Sequence, residues 1–111
     1  MKLYIDTSNS SEITIGLGDK KVTEVARKEK SQKLLLVIDQ LLEEAGKNLD
    51  DLTEIEVESG PGSFTGLRVG ISVANALGWS LGIPVNNKDI KKEGPVEPVY
   101  ELASPPGGNA N

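Results

Sequence analysis

The sequence contains no cysteine and no histidine among its 111 residues. Without cysteine, the chain can form no disulfide and has no thiol nucleophile. Without histidine, it lacks the most common general base at neutral pH and the most common metal-binding side chain. We therefore expect no catalytic residue and no metal site in this chain, and no resident cofactor.

Aromatic residues are also scarce, and basic residues do not predominate. Aromatics make up 4% of the chain, and its formal net charge is −5. Binding to nucleic acids depends on clustered Lys and Arg side chains and, for single strands, on aromatic rings that stack with bases. The composition therefore predicts no direct binding to nucleic acid. It also predicts an aliphatic core, in a chain whose length suits one domain.

Long hydrophobic runs are missing as well. No apolar run approaches the roughly 18 residues that a membrane-spanning helix requires, and the first predicted strand begins without an apolar signal segment before it. We therefore expect a cytoplasmic protein that does not insert into membranes.

The order of the predicted elements indicates an α/β fold. Three strands over residues 2–6, 12–17 and 21–27 precede a helix over 31–45, for which Ser31 is the expected N-cap. A strand at 54–58, a helix over 69–81 and a fifth strand beginning at 82–85 follow. This order is typical of a ribonuclease-H-like or actin-like domain with a five-stranded mixed sheet. We place the domain at 1–88 and a polar, Pro/Gly-rich, partly disordered tail at 89–111.

The most informative feature is a glycine-rich loop between the 54–58 strand and the helix that follows it. We call residues 60–65 the signature loop; they are Gly60, Pro61, Gly62, Ser63, Phe64 and Thr65. In a strand–loop–helix unit, backbone N–H groups and the helix N-terminus can face a ligand. The glycine spacing, however, matches neither the P-loop nor the dinucleotide fingerprint. Two interpretations stay open: a tight turn packed against a neighbouring segment, or a ligand or partner site.

Both predicted helices carry apolar residues on more than one side. Leu36 lies opposite the main apolar arc of the first helix, and Val69 and Val73 lie opposite the main arc of the second. Small residues repeat every four positions along the second helix, so another helix could approach it closely. The alternative is that one fold buries both sides, but a chain with two helices leaves little to cover the second side. We therefore predict a protein interface formed by Leu36, Gly66, Arg68, Val69, Gly70, Val73, Ala74 and Ala76.

A second candidate site lies at the end of the first strand. Asp6, Thr7 and Ser8 stand where actin-like ATPases place an acidic residue and a phosphate loop, and Asp6 could organise Mg²⁺ through water. Glu58 is the candidate for a second carboxylate. In the alternative interpretation, Asp6 and Ser8 only cap the turn, which is a frequent role of these residue types.

The sequence from Gly60 to Arg68 resembles the signature of the bacterial TsaB (YeaZ) family. The similarity begins at Leu3-Tyr-Ile-Asp-Thr-Ser8, includes the Ala74-Asn-Ala-Leu77 and Leu81-Gly-Ile-Pro-Val85 segments, and covers residues 1–85. Glu97-Pro-Val-Tyr100 resembles the Pro-x-Tyr segment that often closes full-length members. The resemblance implies the actin-like (ASKHA) fold, with one of the family's usual two domains.

The resemblance also implies a function. Family members are non-catalytic subunits that bind and activate the catalytic subunit TsaD in threonylcarbamoylation of tRNA adenosine. They associate through the two helices, either as a homodimer or with TsaD, and a TsaE-type ATPase is a further partner. ATP and Mg²⁺ are then expected only at the level of the complex. The alternative is an actin-like nucleotide-binding or ATP-hydrolysing domain with its site at Asp6, Thr7 and Ser8. In either case, we expect Arg68 to pair with a carboxylate, either Glu58 or one on the partner.

Overall fold

The structure, a computed structural model, describes residues 1–100. Its described part is a four-stranded sheet, in the order β3-β2-β1-β4, with two long helices on one face. The strands are β1 (Lys2–Asp6), β2 (Glu12–Leu17), β3 (Lys20–Val25) and β4 (Glu54–Val57). The helices are α1 (Lys30–Ala45), α2 (Phe64–Leu81) and the short α3 (Ile90–Glu93), with a 3-10 turn at Leu49–Asp51.

Alternation along the strands determines which face of the sheet the helices cover. β1 buries Leu3 and Ile5, and β2 buries Ile13 and Ile15, whereas the intervening side chains are polar or glycine. β1 to β3 form an antiparallel meander, and β4 joins β1 in parallel through the crossover helix α1. Because α1 and α2 lie side by side on the apolar face, the core between the sheet and the helices is aliphatic, as predicted.

Both long helices begin earlier than the sequence predicts. The N-cap of α1 is Glu29 rather than Ser31; it lies in the left-handed region, at φ 52°, and makes no side-chain capping bond. α2 includes Thr65 in its first turn, and Ser63 is its N-cap, with Oγ accepting from the Gly66 N–H at 3.2 Å. Within residues 1–100, no helix combines the length and the apolar character needed to cross a membrane.

The predicted five-stranded sheet is wrong for the described residues, which form four strands. At the expected place of the fifth strand, Val85 forms a single parallel bridge with Ile55. Pro84 has no N–H to offer a neighbouring strand. Asn86 and Asn87 both have positive φ, 52° and 64°, so the chain turns away from the sheet edge after one bridge.

The predicted domain boundary at residue 88 also needs correction. Asp89 caps α3, Ile90 and Val96 are buried in the common core, and Tyr100 packs against it. The compact unit therefore extends through the last described residue. The part of the predicted tail from 101 to 111 lies outside the described residues.

Candidate functional site

The signature loop packs directly on the turn that follows β1. The Ser63 N–H donates to the Ser8 carbonyl at 2.8 Å, and the Glu58 N–H donates to the Ile5 carbonyl at 2.8 Å. A Cβ on Gly62 would lie 2.7 Å from the Cβ of Ser8. The two segments singled out in the sequence, one after β1 and one after β4, therefore form one contiguous site.

Thr7 is the link between this turn and α2. Its side chain is 1% exposed, and its Oγ1 accepts from the Gly70 N–H at 3.0 Å while it donates to the Gly66 carbonyl. Residues 66 and 70 are i and i+4 on the helix, so the hydroxyl inserts into the helical hydrogen-bond ladder. In this conformation the helix backbone occupies the Thr7 hydroxyl, and a nucleotide site at Asp6, Thr7 and Ser8 stays a prediction.

Asp6 and Ser8 engage one another. Asp6 Oδ1 accepts from the Ser8 N–H at 2.9 Å and from Ser8 Oγ at 2.6 Å. Glu58 makes a similar local contact, with Oε2 accepting from the Gly60 N–H at 3.3 Å. Among residues 1–100, no three metal-ligating side chains are grouped closely enough to hold an ion. The observed contacts are those of the turn-capping interpretation.

The pKa of Tyr4, which lies near these carboxylates, is raised. Burial, reinforced by the negative charges of Asp6, Glu58 and Glu56, raises the pKa of Tyr4 to about 12. The Lys21 ammonium lies 4.7 Å from the centroid of the Tyr4 ring. The protonated Tyr4 OH donates to Asp6 Oδ2 at 3.4 Å.

The small residues of α2 face the chain's own sheet, so the assignment of Gly66, Gly70 and Ala74 to a partner interface is wrong. All three are buried within the monomer. A Cβ on Gly70 would lie 2.5 Å from Thr7 Oγ1 and 3.0 Å from Ile5 Cγ2. The spacing of small residues allows the helix to lie close to the sheet. At position 70 only glycine leaves room for Thr7 to reach the helix backbone.

The other predicted interface residues lie on the outward side of the helical layer. Leu36 is 51% exposed, Arg68 and Ala76 are exposed, and Val69 and Val73 are partly buried. The sequence interpretation missed Leu35, also 51% exposed, because it lies within the broad apolar arc of α1. Phe64, at 56%, is exposed at the start of α2. We call this set the outer helix face: Leu35, Leu36, Phe64, Arg68, Val69, Val73 and Ala76.

Arg68 does not pair with Glu58, so the first of its two expected partners is wrong, and a carboxylate on a partner subunit stays a prediction. Its guanidinium carbon lies 5.5 Å from the centroid of the Phe64 ring, whereas Glu58 accepts from a loop N–H. The three ion pairs found within residues 1–100 all involve lysines. Arg68 therefore presents its charge at the edge of a shallow depression lined by Phe64, Thr65, Arg68, Val69 and Ser72.

The sequence analysis did not assign a role to two asparagines whose side chains bind backbone groups near the site. Asn86 Oδ1 accepts from the Val57 N–H at 2.8 Å, and its Nδ2 donates to the Val57 carbonyl at 3.0 Å. Asn75 makes the same pair of bonds with the backbone of Val96, both at 2.9 Å. Two signals point to Asn75: it lies in the Ala74-Asn-Ala-Leu77 segment of the family resemblance, and asparagine is a poor helix former in the middle of a long helix.

Comparisons with known proteins agree on one group of relatives. The family model described as TsaD, tRNA N6-adenosine threonylcarbamoyltransferase, matches residues 21–87. The chain is 36% identical over 91 residues to the tRNA threonylcarbamoyladenosine biosynthesis protein TsaB of Bacillus subtilis, covering 76% of this chain and 38% of that protein. It is 34% identical over 86 residues to the protein of the same name from Haemophilus influenzae, covering 75% and 36%.

A solved structure has the same architecture. YeaZ from Pseudomonas aeruginosa superposes with a TM-score of 0.65 at 33% identity, covering 76% of this chain and 41% of that one. The fold is therefore the actin-like or ribonuclease-H-like α/β fold of these proteins. The chain spans about two fifths of the length of the relatives that it matches. On the signature loop, the fold and these relatives, the chain belongs to the TsaB (YeaZ) family, within the wider group described by the TsaD family model.

Proposed function

We propose that this chain is a non-catalytic interaction subunit that binds and activates a TsaD-type catalytic subunit in the threonylcarbamoylation of tRNA adenosine. The observation that carries the proposal is the outer helix face, where Leu35, Leu36 and Phe64 each leave half or more of their surface exposed. Single exposed apolar residues are ordinary, whereas several on two neighbouring helices are typical of a protein interface, and Phe64 also lines a shallow depression with Arg68 and Val69. The reaction in the proposal comes from the relatives, which are named tRNA threonylcarbamoyladenosine biosynthesis proteins.

The charge of the chain supports a role in which another subunit holds the tRNA. A net charge of −5 supplies no electrostatic attraction to phosphates. We therefore propose that this chain contributes by ordering the helices of its partner, and that ATP, Mg²⁺ and a TsaE-type ATPase act at the level of the complex. In the absence of a partner, the same face would join two copies of the chain.

The test is co-purification with the TsaD-type subunit of the same organism, followed by a tRNA modification assay with and without this chain. Leu36→Lys is the informative variant, because a charge on the outer helix face must lose its water when the interface closes. Val25→Lys is the matched control, since Val25 is 64% exposed on the edge strand β3, where the neighbouring Glu24, and not Val25, pairs with Lys33 of α1. We expect Leu36→Lys to lose both co-purification and stimulation, and Val25→Lys to retain both.

Equal behaviour of the two variants would contradict the assignment of the interface. Light scattering on the isolated chain supplies a second readout: we expect the mass of two chains at high concentration, and one chain for Leu36→Lys. A rise in melting temperature with Mg-ATP would instead favour the nucleotide-binding alternative. Micromolar tRNA affinity of the lone chain at physiological salt would contradict the division of labour proposed here.

A further inference from the structure

The last described residues form a strap that crosses from α2 to the signature loop. We use this name for residues 95–100. Its first anchor is Asn75, whose side-chain amide accepts from the Val96 N–H and donates to the Val96 carbonyl, both at 2.9 Å. Val96 itself is buried in the core. A side-chain amide that satisfies both backbone groups of one residue holds the segment in a single register.

The far end of the strap lies on the signature loop. The Val99 N–H donates to the Ser59 carbonyl at 2.7 Å, and the Tyr100 ring stacks on the Phe64 ring with centroids 4.6 Å apart. Gly60 has φ +119°, and the Val99 carbonyl occupies the space that a Cβ there would need. The close approach of the strap to the loop therefore requires glycine at position 60.

We propose that Asn75 is the positioning residue of this strap, and that the strap holds the signature loop in the conformation that places Phe64 on the outer helix face. The strap contacts Ser59, which directly precedes the signature loop, and Gly60 and Phe64 within it. We therefore expect release of the strap at Val96 to loosen the loop as well. This inference does not depend on the proposed partner, because it concerns motions within the chain itself.

The test is residue-resolved amide hydrogen exchange on the full chain, comparing Asn75→Ala with Ser80→Ala. Ser80 is exposed on the same helix, and both changes raise helix propensity, so weakening of α2 cannot explain a difference between them. In Asn75→Ala we expect the amides of Val96, Val99 and Ser63 to exchange about tenfold faster, as loss of two hydrogen bonds implies. The β2 amides should keep their rates, and Ser80→Ala should change none of these.

Two outcomes would overturn the proposal. If Val96 and Val99 stay protected in Asn75→Ala, Asn75 does not anchor the strap. If they exchange faster while Ser63 does not, the strap does not hold the loop. If Asn75→Ala also accelerates exchange of the β2 amides, the fold as a whole is weakened and a second variant, Tyr100→Ala, is needed. The proposal then requires faster exchange at Val99 and Ser63 in Tyr100→Ala, with Val96 still protected. Unchanged rates at Val99 and Ser63 would refute it.

Discussion

The hydroxyl of Thr7 lies inside the hydrogen-bond ladder of α2, accepting from the Gly70 N–H at 3.0 Å. A buried side chain at the end of β1 thereby determines where the first turns of α2 sit on the sheet. Since the signature loop leads into these turns, the position of Phe64 and Arg68 depends on a residue about sixty positions earlier in the chain.

Thr7→Val should lower the stability of the fold without altering its shape, because valine keeps the volume and loses the hydroxyl. The Gly66 carbonyl and the Gly70 N–H would lose their shared partner in a buried site, at a cost of about 1–3 kcal/mol. Urea denaturation measures the difference. Thr14→Val, which removes a hydroxyl from the solvent-facing pair with Thr23, should stay within about 0.5 kcal/mol of the parent. Equal effects would contradict the special role of Thr7.

Gly70→Ala should destabilise the chain although alanine is the better helix former. The new Cβ would lie 2.5 Å from Thr7 Oγ1, and overpacking of this kind typically costs about 1–3 kcal/mol, more than the ~1 kcal/mol gained in propensity. Thermal unfolding, with Ser80→Ala as the control for propensity alone, measures the balance. A stabilised Gly70→Ala variant would mean that the small residues do not face the sheet tightly.

Asn86 and Asn87 offer a matched pair for the edge of β4. Both have positive φ, so alanine costs each about 1 kcal/mol in backbone strain. Only the side chain of Asn86 pairs with both backbone groups of Val57. Asn86→Ala should therefore cost about 1–3 kcal/mol more than Asn87→Ala in chemical denaturation. A difference near zero would show that water replaces the Asn86 side chain at this edge.

Arg68→Lys should leave the isolated chain as stable as the parent. Within the chain, the Arg68 side chain contacts the exposed Phe64 ring, and a lysine cation can make the same kind of contact. It should weaken association with the TsaD-type partner about tenfold, because lysine lacks the planar fork that binds a carboxylate through two bonds. Calorimetric titration measures the affinity, with exposed Arg27→Lys as the control. If both variants bind like the parent, Arg68 is a solvated surface charge. This prediction depends on the proposed function.

Tyr4 should make the fold sensitive to high pH. Its pKa is raised from 10 to about 12 in the folded chain, so the folded state keeps its proton where the unfolded state has lost it. This contribution to stability is complete below pH 10 and is lost as the pH rises from 10 to 12. Denaturation across this window should show the loss in the parent and in Tyr100→Phe, and a smaller loss in Tyr4→Phe. Parallel pH profiles for all three would contradict the shift.

The sequence by itself determined the elements whose signals are local. Alternation predicted β1 and β2 with their observed bounds. The predicted end of the first helix at residue 45 is also correct, because the next residue, Gly46, adopts a positive φ of 67° that suits a residue without a Cβ. The signature loop, with its glycine spacing, was sufficient to indicate the family. These features depend on neighbours within a few positions, which a single sequence displays directly.

Only the tertiary structure decided which surface each apolar or small residue meets. Periodicity places Gly70 and Ala74 on one side of α2, but whether β1 or a partner lies there depends on Thr7, 63 residues before Gly70. The single bridge at Val85 and the anchoring of Val96 by Asn75 likewise arise from segments distant in the chain. A periodic pattern indicates that one side of a helix is buried. Which surface buries it depends on contacts that form only when distant segments of the chain pack together.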